Sequence, residues 1–267
     1  GPMAGSAADA ALFYEAIAGP PPADHVYQRL YGASPLPPAH CSHFSHCEDL
    51  SDLRLGVFTE WFEDCDPEVL SLAREALAFL EARGATVVAI RIPHLEVFAL
   101  AHGLSISVDF TMDQQGLFFE HPEKLEPATR IQLALGGAIT GVEQNAICWI
   151  RGWALAFVDR LFREEQLSGF FTPTLGVLPP RMPPAARRTG ESNTSLVMEL
   201  LKYIFLANFS GLPAISVPAG RSENGLPVAV QFAAKHWDEH LCLRIANALD
   251  IPRFRSIPPG FVDLLAS

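Results

Sequence analysis

Two spacings of apolar residues run through this chain, one near 3.6 and one of short continuous runs, and together they predict its elements. Near the start, Ala10, Phe13, Tyr14 and Ile17 recur at helical spacing and predict one apolar helix face. Ser6 followed three residues later by Asp9 resembles a capping box, and Gly19 with Pro20 to Pro22 ends the helix. Leu53 to Thr59 (LRLGVFT) reads as a buried strand. Pro67 at a first helical position opens a helix through Leu80, Gly84 ends it, and Thr86 to Ile92 (TVVAIRI) reads as the returning strand. A strand, a helix and a second strand in that order predict a parallel pair. Further helices are expected over Val142 to Glu165, Ser195 to Ala207 and Asp238 to Leu249. Further strands are expected at Gly169 to Thr172, at Ala214 (AISVP) and at Pro227 (PVAVQF). The fold class is therefore α/β, a mixed β-sheet covered by helices. Pro20 to Leu50, rich in Pro, His and Ser, reads as a linker, and no repeat or composition break divides the rest.

Composition narrows the partners more than the fold. With 267 residues, 49% of them hydrophobic, the chain has material for a large core. Its formal net charge of -11 repels phosphate backbones, which argues against nucleic acid. Five cysteines, an odd number, suit a reducing compartment better than a disulfide framework. The most apolar stretch, Leu196 to Gly220, is interrupted by Glu199, Lys202, Asn208 and two prolines, which predicts core rather than a membrane span. No signal peptide or transmembrane helix is read in the chain, so its expected place is the cytoplasm or, through an apolar patch, a membrane surface.

Candidate chemistry is sparse. His40, Cys41, His43, His46 and Cys47 form one run of zinc-type ligands without the separated second pair that structural zinc sites use, so a solvated loop is the expectation. HWDEH matches H-x-x-E-H at His236, Glu239 and His240, but a helix starting near Asp238 would leave His236 outside it. No metal or other cofactor is assigned. GRSENG at Gly220 misses the nucleophile pattern G-x-S-x-G because Asn224 stands at the required glycine. Lys124, Lys202 and Lys235 have no serine at S-x-x-K spacing, and Cys148 and Cys242 read as inert packing on apolar helix faces.

Several segments resemble the later half of the amidase signature family. They are GPMAGSAADAALFYEAIAG, NFSGLPAISVPAG and NGLPVAVQFAAKHWDE. LRLGVFTEWFED and TGESNTSLVMELLKYIFLANFSGLPAISVP resemble the plant-type fatty acid amide hydrolases in particular. The similarity is strongest at Gly1 to Gly19 and Gly190 to Glu239 and weakest between Ala99 and Gln166. It implies that residues 1–267 are the C-terminal portion of one amidase domain, with the catalytic part encoded ahead of GPMA.

The resemblance also implies a mechanism. A lysine acts through a bridging serine on a serine nucleophile, and backbone N–H groups of a Gly-rich loop hold the oxyanion. No position here matches those groups, so no catalytic residue is assigned and the chain alone is expected to be inactive. By the same resemblance, Thr172 to Thr174 and the apolar residues after them line an acyl-binding cavity, and the helix after Thr129 and Arg130 faces it. The substrate-binding candidates are Leu135, Ile139, Thr174 and Leu178, for a small-molecule acyl amide of the fatty acid amide and N-acylethanolamine type. Gly136 and Gly137 depart from the bulkier residues of the plant enzymes. Peripheral membrane contact and a homodimer are left open as further partners. The alternative is a non-catalytic remnant that binds lipid or a partner, with metal at the His/Cys loop.

Overall fold

The structure, a computed structural model, describes residues 1–19, 25–26, 47–190 and 193–254. It contains one five-stranded sheet, in which β2 (Thr86–Ala89), β1 (Arg54–Val57) and β3 (Gly169–Pro173) are parallel neighbours. β5 (Pro227–Ala234) and β4 (Ala214–Arg221) continue it antiparallel, giving the order β2-β1-β3-β5-β4. The mixed sheet and the parallel β1–β2 pair agree with the sequence pattern. α2 (Pro67–Ala82) joins that pair, with Pro67 in its first turn, and buries Val69, Ala73, Ala76 and Leu80 at helical spacing.

Helices cover both faces of the sheet, which is why its strands are apolar runs rather than strict alternations. On one face Phe171, Phe232 and Val230 pack with α2 and α8 (Glu239–Leu249). On the other, Phe170 and Ala233 pack with α3 (Leu95–Glu120), α5 (Gly141–Glu164) and α7 (Phe205–Ser210). The central strand β3 is buried along its whole length. Gly169 is obligatory there, because a Cβ would stand 2.3 Å from the ring of Phe232.

Three local expectations are corrected. Strand β1 ends at Val57, and Thr59–Phe62 already forms a helical turn that buries Trp61 and Phe62. Helix α1 (Ala7–Ile17) has the Ser6 cap, whose hydroxyl accepts from Asp9 N, but it buries Ala7 and Ala11 and leaves Phe13 and Ile17 exposed. The small face lets α1 lie close on α8, and the bulkier apolar face points away. Leu50, the last residue of the stretch read as a linker, is fully buried and donates its N–H to Arg83 O.

The single helix expected over Ser195 to Ala207 is two, α6 (Thr194–Leu201) and α7, with no residue of α6 buried. The break between them is anchored by side chains. Tyr203 is fully buried and donates toward Trp61 O at 2.7 Å and Asp64 O at 2.9 Å, while Lys202 Nζ lies 3.0 Å from Asp64 Oδ2. Helix α3 is long and apolar enough, by length and composition alone, to cross a membrane. In this fold it packs on α4 (Pro127–Ala138), α5 and α7.

Replacing Tyr203 by Phe keeps the ring and removes both hydrogen bonds. Urea denaturation is expected to show a loss of about 1–3 kcal/mol, the usual worth of such a pair of buried bonds; an unchanged midpoint would mean that the break between α6 and α7 is held by packing alone.

Candidate functional site

Leu135 and Ile139 come together in one apolar groove of about 430 Å³ between α3, α4 and α5. Val97, Leu100, Ala101 and Leu104 supply the α3 wall, and Ala146, Ile147 and Ile150 the α5 wall. Among the described residues, the one ionisable group lining it is the exposed Glu143. That carboxylate is occupied: Thr140 N and Thr140 Oγ1 each donate to Glu143 Oε2 at 2.8 Å, while Thr140 Oγ1 accepts from Glu143 N. The Thr140 N–H, then its hydroxyl, hold the Glu143 carboxyl below the usual carboxylate range. Thr140-x-x-Glu143 is a capping-box signal readable in the sequence, and it fixes where α5, one wall of the groove, starts.

A close helix crossing sets the groove's width. A Cβ on Gly136 would stand 2.0 Å from Ser107 O and 2.2 Å from Thr111 Oγ1, so only glycine lets α4 approach α3 this closely. Across the same seam Gln132 Nε2 donates to Ser107 Oγ, and Thr111 Oγ1 lies 2.9 Å from Leu133 O. Gly137, one residue on, has only Thr111 Cγ2 near its Cβ position, at 3.8 Å.

Thr174 and Leu178 are not in this groove. Thr174 N donates to Ala229 O at 2.9 Å, and its hydroxyl is 2.7 Å from that of Ser216. Leu178 N donates to Asp66 Oδ2 at 3.0 Å, at the start of α2. Ser216 in turn lines a second cavity, of about 360 Å³, between residues 2–7 and strand β4. Two of the segments that carry the family resemblance, GPMAGSA and AISVP, therefore meet there, and Thr174 reaches the same place through one hydroxyl pair. Asp250 closes the cavity by accepting from Ala7 N at 3.0 Å.

The remaining candidates have other occupations. His236 precedes α8, and its Nε2 lies 2.8 Å from Ser210 O. GRSENG forms the β4–β5 turn, with Ser222 N donating to Leu226 O and Gly225 at φ 77°. Cys242 is buried, and burial pushes its thiol up to about 12, which suits inert packing. Cys148 is exposed, contrary to expectation, because it falls on the outer side of α5. Cys47 accepts from Asn247 Nδ2 at 3.2 Å, whereas His40, Cys41, His43 and His46 lie outside the described residues. Lys202 and Lys235 pair with carboxylates, Lys202 with Asp64 and Glu199 and Lys235 with Asp238. Several serine hydroxyls are committed to the backbone instead of to a base: Ser168 accepts from Arg54 N, Ser210 donates to Leu206 O, and Ser222 accepts from Leu226 N.

A family model described as Amidase matches residues 1–243. The chain belongs to the amidase family. It is 32% identical over 270 residues to the fatty acid amide hydrolase of Oryza sativa subsp. indica, a match covering 99% of this chain and 43% of the relative. The fatty acid amide hydrolase of Arabidopsis thaliana is also 32% identical, over 272 residues, covering 99% of this chain and 44% of the relative. This amidase chain thus spans less than half the length of those curated relatives. The solved structure of the native peptide amidase from Stenotrophomonas maltophilia matches with a TM-score of 0.61 at 24% identity, covering 93% of this chain and 52% of that one. That likeness confirms the amidase fold of the sheet and its covering helices.

The two neighbouring glycines of α4 are expected to respond with opposite signs. Gly136→Ala forces the Ser107 carbonyl aside and should cost about 1–3 kcal/mol, as overpacking does. Gly137→Ala meets open space on a helix and should gain up to about 1 kcal/mol. Chemical denaturation of both variants checks the pair, and equal effects would show that the crossing is looser than described.

Proposed function

We propose that this chain is the acyl-holding portion of an amidase that cleaves fatty acyl amides, with the reacting groups supplied by the part of the domain that its relatives carry in addition. The observation that carries this reading is the placement of Leu135 and Ile139 on one apolar groove, in a chain that matches plant fatty acid amide hydrolases over nearly its full length. An unbranched acyl chain lying along α3, α4 and α5 gains about 0.8 kcal/mol per methylene removed from water. Apolar walls therefore select for chain length without needing a directed polar group.

In this reading the lysine, the bridging serine and the serine nucleophile of the family act from outside residues 1–267. The second cavity, between residues 2–7 and β4, is where the two portions meet, since Ser216 and the Thr174 hydroxyl present polar atoms there. β4 is the outer strand of the sheet and pairs only with β5 among the described residues, which leaves one edge open to a further strand.

Two measurements test this. The purified chain, alone and combined with the preceding portion of the Oryza sativa relative, is assayed on a long-chain N-acylethanolamine; turnover is expected only from the combination. In parallel, Ile139→Trp, which fills the groove, should weaken binding of the long-chain amide at least several-fold while a short-chain amide is held as before. Turnover by the chain alone would refute the assignment of the reacting groups, and an Ile139→Trp variant with unaltered binding would refute the groove. Retained binding with no turnover from the combination would favour the non-catalytic remnant instead.

A further inference from the structure

Helix α3 is 26 residues long, yet it buries only Phe98, Ala101, His102 and Ser107. Ser107 faces α4 at the glycine crossing, so Phe98, Ala101 and His102 are the buried residues that α3 sets against α5 and α7, with Leu95, Ala99 and Leu104 partly buried beside them. Phe98 packs on the ring of Trp153 of α5 at 5.0 Å. His102 packs between Phe205 and Phe209 of α7, with ring centroids 6.3 and 6.2 Å away, and is only 4% exposed. Its Nδ1 is buried with no hydrogen-bond partner among the described residues. Buried polar atoms are ordinarily partnered, and this one sits at the point where a long helix is held down.

The surroundings are built for a neutral ring. α7 carries no titratable side chain, and its Ser210 hydroxyl is committed to Leu206 O. Arg151 of α5 reaches α7 in the same region, donating its Nε to Phe209 O at 2.9 Å, and it is a cation. Tyr203 holds its hydroxyl on Trp61 O and Asp64 O. Arg130 on α4, Glu143 on α5, and Glu96 and Asp109 on α3 itself are all exposed, so none of these provides a buried counter-charge. An imidazolium has two N–H groups to satisfy, and Nδ1, buried in a seam that holds Phe205 and Phe209, has no acceptor among the described residues.

We propose that His102 is an acid-operated catch: protonation of its ring expels it from between Phe205 and Phe209, frees α3 together with α4 from α7, and opens the groove that Leu135 and Ile139 line. Burial of the ring holds it below its ordinary value, in keeping with a site that favours the neutral form. The sign follows from this. The seam has its full strength above about pH 6.5, the ordinary imidazole value, and weakens as the pH falls below it, because the released state then binds a proton that the closed state excludes. The inference bears on how the groove of the proposed function is regulated, but the catch operates whatever the groove holds.

Hydrogen exchange on the whole chain, corrected for the intrinsic pH dependence of exchange, tests it at about pH 7.5 and about pH 5.5, on either side of the imidazole range. Protection over residues 95–138 is expected to fall several-fold at the lower pH, up to the roughly tenfold that one imidazole excluded from protonation can contribute a pH unit below its ordinary value, while α2 and α8 keep theirs. His102→Leu, which cannot charge, should retain protection of the segment at both values. Should that variant fail to fold, the imidazole resonance of His102 in the unaltered chain is followed instead, and it must titrate in step with the loss of protection. Unchanged protection of 95–138 at the lower pH, an equal loss in His102→Leu, or a His102 titration uncoupled from that loss would overturn the proposal. An intact acid response beside failed acyl-amide binding would overturn the groove assignment and leave the catch standing.

Discussion

Strand β3 has to satisfy two geometries at once, and the rest of the molecule is arranged around that demand. Along one side it is a parallel partner, with Leu55 opposite Gly169 and Gly56 opposite Phe170. Along the other it is antiparallel, with Phe171 opposite Phe232 and Thr172 opposite Gln231. All five of its residues are buried, so helices must cover both of its faces, and the two aromatic side chains in the middle seed the two cores. Phe170 stacks on Phe162 of α5 at 4.7 Å, and Phe171 on Phe62 at 6.4 Å. The glycine at its start is the concession that lets the antiparallel neighbour come close enough to pack Phe232 over it.

The two covering layers are not equally firm. The layer of α2 and α8 is sewn to the sheet by small and branched residues, Ala73, Ala76, Leu80, Ile245 and Ala248, none of them measurably exposed. The opposite layer is held mainly through α5 and α7. α3 and α4 meet at the close Gly136 crossing, and α3 buries only Phe98, Ala101, His102 and Ser107 along its length. The groove sits on this less firmly held pair. A binding surface carried on the looser of two layers follows a general pattern, in which elements that must admit a ligand come from the low-stability end of a fold.

How much of this was legible in the residues alone differs along the chain. The β1–α2–β2 unit was readable because Pro67, Gly84 and two apolar runs punctuate it, and the later strands because they are short and bounded by turn residues. α3 escaped because its apolar side chains follow no single stripe of the kind that marks a helix, and α4 was anticipated only by resemblance, as the helix after Thr129 and Arg130. The break between α6 and α7 was hidden for a different reason. It depends on Tyr203 and Lys202 finding Asp64 across a long stretch of chain, and no local pattern announces such a partner. Thr140 and Glu143 were readable as a cap, and would have placed the start of α5. Leu135 and Ile139 were nominated by resemblance, and the fold brings them together. Thr174 and Leu178 were nominated alongside them, and the fold sends them to the β4 side and the start of α2, because the chain turns away after Pro173.

Strand β4 carries Pro218, followed at once by a register shift before Gly220. A proline offers no amide hydrogen to a neighbour, and the irregularity twists the strand away from flatness. An edge of this kind accommodates one short companion over Ala214 to Val217 but interrupts the ladder beyond it. Endless sideways polymerisation, the hazard of any open sheet, is thereby restrained by the same few residues that leave room for a single matched guest.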